Sequence, residues 1–528
     1  MTKMQYRIFK KLINITLVFC MLLAGCKSLN NATEAGGETL GGSTGQFVYV
    51  PEEFEKVEYA AMPNSNGLTM SLDKMNAAYR PHTDWRIYSI RTTKSTITTP
   101  EGCTSWYVSP NGSDKNDGKT PETAFKTLTQ VNTTEMKEGD VVYFECNGLW
   151  RGTISAKPGV TYTSYGEGAK PQFRSYAENV AGKDKWLPTD TPNVYVFYKT
   201  VSYDVGLIVF NEGEAYGLKT FTYTRGDNGQ KYDATTKKKF NSYKDLNRDL
   251  HFTHEKGKVY LRSDKGNPSD RYNSIELCVK QHLVSVKSDV NNVTIDNLCF
   301  KYGGSHGVGA GSCDGLTVTN SEFYWIGGSA QNESVRFGNG VEIYGSATNY
   351  RVENCYFSQI YDAAVTFQYG TGSGSKTMKM ENINIKNNVM EYSTYSIEYF
   401  LGTNNEGEGI RNVNIEGNLL WYAGEGFTVQ RPERGHAAHI KSWRHHKNPL
   451  TQNFVIKNNL FALSDNVLVE TISTAGGEDP IYSNNIYIQG YKGALGFIGK
   501  NDSKRLKFTA ENIKNELKDT TGKYIFIK

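Results

Sequence analysis

From residue 292 onward, apolar and polar positions alternate in short runs, and each run closes on Asn or Gly. One template recurs: Asn-Val-Thr-Ile-Asp-Asn-Leu-Cys-Phe at 292–300, Gly-Leu-Thr-Val-Thr-Asn-Ser-Glu-Phe at 315–323 and Asn-Tyr-Arg-Val-Glu-Asn-Cys-Tyr-Phe at 349–357. It returns at 382–390, 412–420 and 453–461, with a worn copy near Ile481 to Ile486. A period of two marks a strand with one buried face. The intervals of 23, 34, 33, 30 and 41 residues vary, as they do when insertions enter loops while the strands stay stacked. Leucine-rich repeats also end in Asn, but Val and Ile dominate here. The pattern predicts an all-β parallel solenoid over 276–500, with Asn297, Asn320, Asn354, Asn387 and Asn458 laddered along its axis through their side-chain amides.

A second apolar run follows each template copy: Gly307 to Ala310, Gly340 to Ile343, Ala364 to Phe367, Ser396 to Tyr399, Gly426 to Val429 and Asn466 to Val469. Aligning these runs places Gly309, Glu342, Thr366, Glu398, Thr428 and Leu468 on one outward stripe. A parallel stripe carries Gly311, Tyr344, Gln368, Phe400, Gln430 and Glu470. Just before the runs stand His306, Asn339, Asp362, Tyr395, Glu425 and Asp465. Carboxylates, amides, Tyr and His with no Lys on either stripe suit a surface that binds sugar hydroxyls. Rungs stack at about 4.8 Å, so Glu342 and Glu398, two rungs apart, lie about 9.6 Å apart at the backbone. Inverting glycosidases hold their two carboxyls roughly 6.5–9.5 Å apart and retaining ones about 5–5.5 Å, and Asp362 on the intermediate rung could shorten either pair. Glu342, Asp362, Glu398 and Glu425 are the catalytic candidates. His306, Asn339, Tyr344, Gln368 and Gln430 are candidate substrate contacts.

After Gln430 comes a basic stretch with Arg431, Arg434, His436, His439, Lys441, Trp443, Arg444, His445, His446 and Lys447. Read as a loop beside the carboxylates, it would clamp a uronate or sulfate, with Arg431 and His436 as its contacts. His436 and His439 have the spacing of a helical metal pair, but no helix and no third ligand are evident, so no metal is assigned.

The N-terminal half follows other rules. Trp106 to Leu128 reads as a strand, an Asp/Gly-rich loop and a short helix through Ala124 and Leu128, with Thr120 as N-cap and Pro121 as its first residue. Strands follow at 139–144 and 159–166, and the whole of 101–170 is expected to cap the open apolar end of the solenoid. Residues 171–275 contain strands around a Lys-rich polar excursion at 231–248, and 501–528 form a tail or second cap. Residues 27–48 read as a Gly/Ser/Thr-rich tether, and 49–100 carry no assignable pattern.

Lys10 and Lys11 precede an apolar segment, Leu12 to Leu23, that ends in Leu23-Ala24-Gly25-Cys26. A basic start, a short apolar run and a small-residue exit describe a signal peptide over 1–25. It resembles a bacterial lipobox, which implies lipidation at Cys26 and an outer-membrane anchor, facing either the periplasm or the cell surface. The formal charge of +4 comes from Lys3, Arg7, Lys10 and Lys11, so removing 1–25 gives 4 − 4 = 0. A neutral body makes no electrostatic case for nucleic acid, and a monomer is expected. The 8 cysteines show neither a CxxC pair nor zinc spacing, and a Cys103–Cys146 disulfide stays open.

The segments at 106–166 and 292–461 resemble the right-handed parallel β-helix proteins of the pectate-lyase-like superfamily. Asn339-Gly340-Val341-Glu342-Ile343-Tyr344-Gly345 and Tyr361-Asp362-Ala363-Ala364-Val365 resemble a poorly characterised branch of gut-type Bacteroidetes proteins. The resemblance implies a polysaccharide substrate but no single reaction. The clustered Asp-Asp motif of polygalacturonases and the Asp-rich calcium set of pectate lyases are both missing. The first expectation is a glycoside hydrolase without a cofactor. The second is a polysaccharide lyase, in which Arg431 or Arg336 neutralises a uronate and calcium could take part. The third is a non-catalytic glycan-binding surface protein.

Overall fold

The computed structural model describes residues 62–63, 65–224, 230–233, 237–332, 335–370, 377–402, 407–431, 436–443, 450–472, 477–499 and 504–528. Cys26, the leader and the tether lie outside these residues, as do Arg434, Arg444, His445, His446 and Lys447.

The template strands stack as parallel ladders of a right-handed β-helix. One sheet runs Ser105–Val108, Val141–Glu145, Thr161–Tyr165, Thr294–Asp296, Thr317–Thr319, Arg351–Glu353, Lys379–Lys386, Gly409–Glu416, Leu450–Lys457 and Ile481–Ser483. Its central inward residue repeats as Ile295, Val318, Val352, Ile385, Ile415 and Ile456, all in register and fully buried. The next face stacks rings: Phe173, Phe300, Phe323 and Phe357 lie 5.4, 5.1 and 4.7 Å apart between successive centroids. Such offset stacks add to the area each ring buries.

The corners explain the Asn signature. Asn292, Asn349, Asn382, Asn412 and Asn453 open the strands, and Asn297, Asn320, Asn354, Asn387 and Asn458 close them. All have φ between 50° and 58°. Asn tolerates this left-handed region better than other residues with a Cβ. The expected amide ladder, however, runs along different asparagines. Among the closing set only Asn354 reaches Asn320, at 2.6 Å. The continuous ladders are Asn453 to Asn412 to Asn382 to Asn349 outside, at 3.0–3.1 Å, and Asn388, Asn418, Asn459 and Asn485 inside, at 3.0–3.1 Å. A closing Asn in the left-handed corner turns its amide outward, and the residue after it points in.

The helix expected at Thr120 starts later. Thr120 accepts the Thr123 N–H in a single turn, but Phe125 then pairs with the first strand, its N–H donating to Tyr107 O at 2.8 Å. The helix is Leu128–Thr133, capped by the Thr127 hydroxyl. Between the rung strands Gln172–Arg174 and Val284–Val286 the chain builds a module with its own core, including Trp186, Phe197, Phe210 and Phe252. Five of its strands form one sheet, Leu218–Lys219, His251–Glu255, Lys258–Arg262, Val194–Phe197 and Trp186–Pro188, antiparallel apart from its first pair.

The segment without an assignable pattern holds a long helix, α1 (Leu72–Thr92), with Ser71 as its N-cap. It lies along the flank of the stack over Trp421, Leu419, Val389, Tyr356, Leu460 and Ile488. Leu68–Met70 pairs in parallel with the last strand, Lys523–Ile527. Leu506, Phe508, Ile513 and Leu517 bury against the C-terminal end of the core. All six cysteines of the described residues are free, Cys103 and Cys146 included.

Candidate functional site

The second apolar runs stack as expected through Glu398. Gly309 pairs with Glu342, Glu342 with Thr366 and Thr366 with Glu398. Beyond that the stripe departs from the alignment of the runs. Gly426–Gln430 is a 3-10 turn, not a strand, because Phe427 leaves the ladder to pack on Tyr216, Trp325 and Tyr361. The rung is completed by Ala438–Ser442, which places Lys441 opposite Glu398, then Glu470 opposite Lys441 and Phe497 opposite Glu470. Thr428 and Leu468 are therefore off the stripe, and a lysine is on it. Part of the basic stretch read as a loop is a strand of the stack. His439 does not join His436 in a pair: it is buried, with Nδ1 3.0 Å from Ser396 Oγ.

Glu342 is the best-framed carboxyl on this face. Asn339 Nδ2 donates to Oε2, Gln368 Nε2 donates to the same oxygen at 3.3 Å, and His306 Nε2 stands 3.5 Å from Oε1. The Asn339 backbone N–H donates to His306 Nδ1 at 2.9 Å. That bond leaves the ring proton on Nε2, facing Glu342. Burial pushes His306 down to about 4, so its ring is neutral at physiological pH. Burial also raises Glu342, the Asp362 charge adds to the rise, and the two amide contacts oppose it only in part, which leaves its pKa at about 7.

Asp362 sits on a β-bulge, where the register slips between Ile360 and Ala363. The bulge takes it out of the row with Tyr395 and turns it toward Arg431, whose Nη1 and Nη2 grip both carboxylate oxygens, the second at 2.6 Å. Arg431 packs between Tyr361 and Tyr395, 5.6 and 5.4 Å from their ring centres. On the next rung Glu398 accepts from Trp443 Nε1. Beyond it Lys441 Nζ reaches Glu470 Oε1 at 2.5 Å, and His436 Nδ1 lies 3.5 Å from Glu470 Oε2.

Arg336 and Gln430, expected as contacts, and Glu425, expected as a catalytic carboxyl, have other work. Arg336 is fully buried and donates to the carbonyls of Gly328, Gly206 and Gln430 at 2.7, 3.2 and 3.2 Å. Gln430 is locked to the inserted module, accepting from Lys219 N at 2.9 Å and donating to Gly217 O at 3.1 Å. Glu425 begins the 3-10 turn, where its charge acts on the Tyr392 and Tyr422 hydroxyls. Tyr344 is half exposed and accepts the Gly370 N–H at 3.2 Å. The structure thus gathers His306, Asn339, Glu342, Asp362, Gln368, Glu398, Arg431 and His436 along one face. It adds Lys441, Trp443, Glu470 and Phe497, whose stripe positions the insertion after Gln430 hid. Among the described residues, buried Thr366 Oγ1, Arg431 Nε and Glu470 Oε2 have no hydrogen-bond partner. Among the described residues no group of three or more His, Cys, Asp or Glu side chains is arranged to hold a metal ion.

No family model and no curated protein matches this chain. Similar solved structures include one described as a glycoside hydrolase, 11% identical with a TM-score of 0.43 over 78% of this chain and 99% of that one. Another is a GH136 lacto-N-biosidase from Eubacterium ramulus, 11% identical with a TM-score of 0.34 over 86% and 72%. A third is a rhamnogalacturonan lyase, 11% identical with a TM-score of 0.26 over 76% and 77%. Likenesses this distant bear no weight in assigning a reaction.

Proposed function

We propose that this protein is a carbohydrate-active enzyme that hydrolyses glycosidic bonds, with Glu342 as general acid and Glu398 as the base that activates water. The observation that carries the reading is Glu342 itself, a buried carboxyl with a pKa of about 7 at the centre of an outward stripe. At neutral pH it holds a proton where an ordinary glutamic acid has lost one, as a general acid requires. Its Oε2 already accepts two N–H groups, so the proton belongs on Oε1. Asp362, clamped by Arg431, acts through its charge on Glu342 and is a positioning residue.

The step is a displacement. The Glu342 proton passes to the glycosidic oxygen as that bond to the anomeric carbon breaks. Water adds to the anomeric carbon from the opposite side and gives its proton to Glu398. Two rungs separate these carboxyls by about 9.6 Å at the backbone, the upper end of the spacing that leaves room for water and inverts the anomeric centre. β-Elimination is less well served. Among the described residues near Glu342, the cations Arg431 and Lys441 are each neutralised by a carboxylate, and neutral His306 turns an N–H, not a lone pair, toward the site.

The test is release of reducing ends from a panel of polysaccharides. Glu342→Gln and Glu398→Gln should each lose roughly 100- to 10,000-fold in kcat with the fold intact, and the product should emerge with inverted anomeric configuration. Full turnover by Glu342→Gln, or an unsaturated product from a uronate polymer, would overturn the assignment.

A further inference from the structure

The stripe does not end at Glu398. Glu470 is nine-tenths buried, yet among the described residues its Oε2 has no hydrogen-bond donor, and His436 Nδ1 stands 3.5 Å away. A buried carboxylate oxygen without a donor is costly unless a ligand supplies one. Around it stand a donor and flat apolar walls. Lys441 Nζ bonds the other oxygen and lies 4.1 Å from the centre of the partly exposed Trp443 ring. His436 lies over Phe497 at 4.9 Å.

A carboxylate edge, an ammonium donor and aromatic faces match the chemistry of a pyranose, which offers neighbouring hydroxyls around its rim and C–H groups on its faces. The other end of the stripe is closed. At Gly309, one rung before Glu342, a Cβ would meet the His282 ring at 2.7 Å, so that ring already occupies the position. A bound chain that avoids this ring runs toward Glu470.

We propose that Glu470, Lys441 and Trp443 form a glycan subsite, adjoining the reacting carboxyls at Glu398, that takes a hydroxyl pair of a neutral sugar unit lying on the C-terminal side of the scissile bond along the stack. The proposal rests on the reading that this face binds glycan, but it can be tested without turnover. The full chain carrying Glu342→Gln is titrated calorimetrically with cello-, manno- and xylo-hexaose, and the tightest binder is carried forward. Adding Glu470→Gln should weaken that binding roughly 10- to 100-fold. Because a lone Lys441 could unfold the site, the double change Lys441→Met with Glu470→Leu is measured beside it and should lose as much. A folded double variant that binds as the parent does would overturn the subsite, and so would a parent that binds none of the three. If wild type cleaves none of them but binding still depends on Glu470, the hydrolase assignment fails and the subsite stands.

Discussion

At the scale of single residues, Glu342 couples function to stability through one proton. Its folded pKa of about 7 lies above its ordinary 4.5, so the folded state binds the proton more tightly than the unfolded chain does. Below pH 4.5 both states are protonated and the group adds nothing. As pH rises toward 7 the unfolded chain ionises first, and folding loses up to about 3 kcal/mol, a loss complete above pH 7. Glu342→Gln cannot ionise. It should leave the unfolding midpoint near wild type at pH 4 and raise it at pH 8, as measured by denaturant titration at both values. In the proposed reaction the same proton sets the rate, so wild-type kcat/KM should fall as pH climbs through about 7. Equal midpoints at pH 8 would mean that Glu342 is solvated and its proton ordinary. Much of this site was legible in the sequence, because Gly309, Glu342, Thr366 and Glu398 occur at one phase of an unbroken alternation. Lys441 and Glu470 were not. Gly426-Phe427-Thr428-Val429 imitates the alternation of the rung it precedes, and only the packing of Phe427 on Tyr361 and Trp325 reveals it as a turn. The bulge that aims Asp362 at Arg431 has no sequence signal of its own.

At the scale of elements, the strands are interchangeable apolar stripes, and the corners give them register. The sequence displays Asn at both corners, and both sets adopt the left-handed conformation. It cannot tell which amides meet across rungs, because that depends on which way each side chain turns. The inward ladder is the stronger one. Asn418 Oδ1 accepts from Asn388 N and Nδ2 at 3.0 Å each, and its own Nδ2 donates to Ile385 O at 2.9 Å and to Asn459 Oδ1 at 3.0 Å. Replacing it with Ala takes the partner from the buried Asn388 N–H and one bond each from the Ile385 carbonyl, Asn388 Nδ2 and Asn459 Oδ1, the last two keeping Val352 O and the residue-418 N–H. At about 1–3 kcal/mol for each buried group left unpaired, Asn418→Ala should lower the urea midpoint sharply. Asn412→Ala, in the exposed ladder, should shift it little. Similar shifts for the two would show that burial of the ladder is irrelevant to its strength.

At the scale of the whole described body, α1 straps several rungs of the stack together, and its sequence concealed this. Pro81 interrupts the helical pattern by removing one N–H and crowding the preceding turn, a defect of about 3 kcal/mol in an isolated helix. Packing overrides it. Trp421 Nε1 donates to Thr83 Oγ1 at 3.0 Å, and Arg80 pairs with buried Glu391, which also accepts from Tyr356 Oη at 2.7 Å. At the other end Arg91 reaches Tyr324 Oη at 2.9 Å and stands 3.5 Å from Glu322. The helix thus spans from the rung of Glu322 to that of Trp421, while Leu68–Met70 adds a strand to the chain's last one. Solenoid stability is a sum of neighbour terms, so each rung can open without its distant relatives. A strap across several rungs couples them. Removing residues up to Thr93 uncovers Trp421, Leu419 and Val389 and takes Arg91 from Glu322 and Arg80 from Glu391, which stand in register with them. The truncated chain should therefore melt at lower temperature and in more than one step, bind a hydrophobic dye, and be cut by protease within the rungs that α1 covers. A truncated chain that melts in one step at the wild-type temperature would show that the rungs cohere without the strap, leaving α1 only a cover for apolar surface.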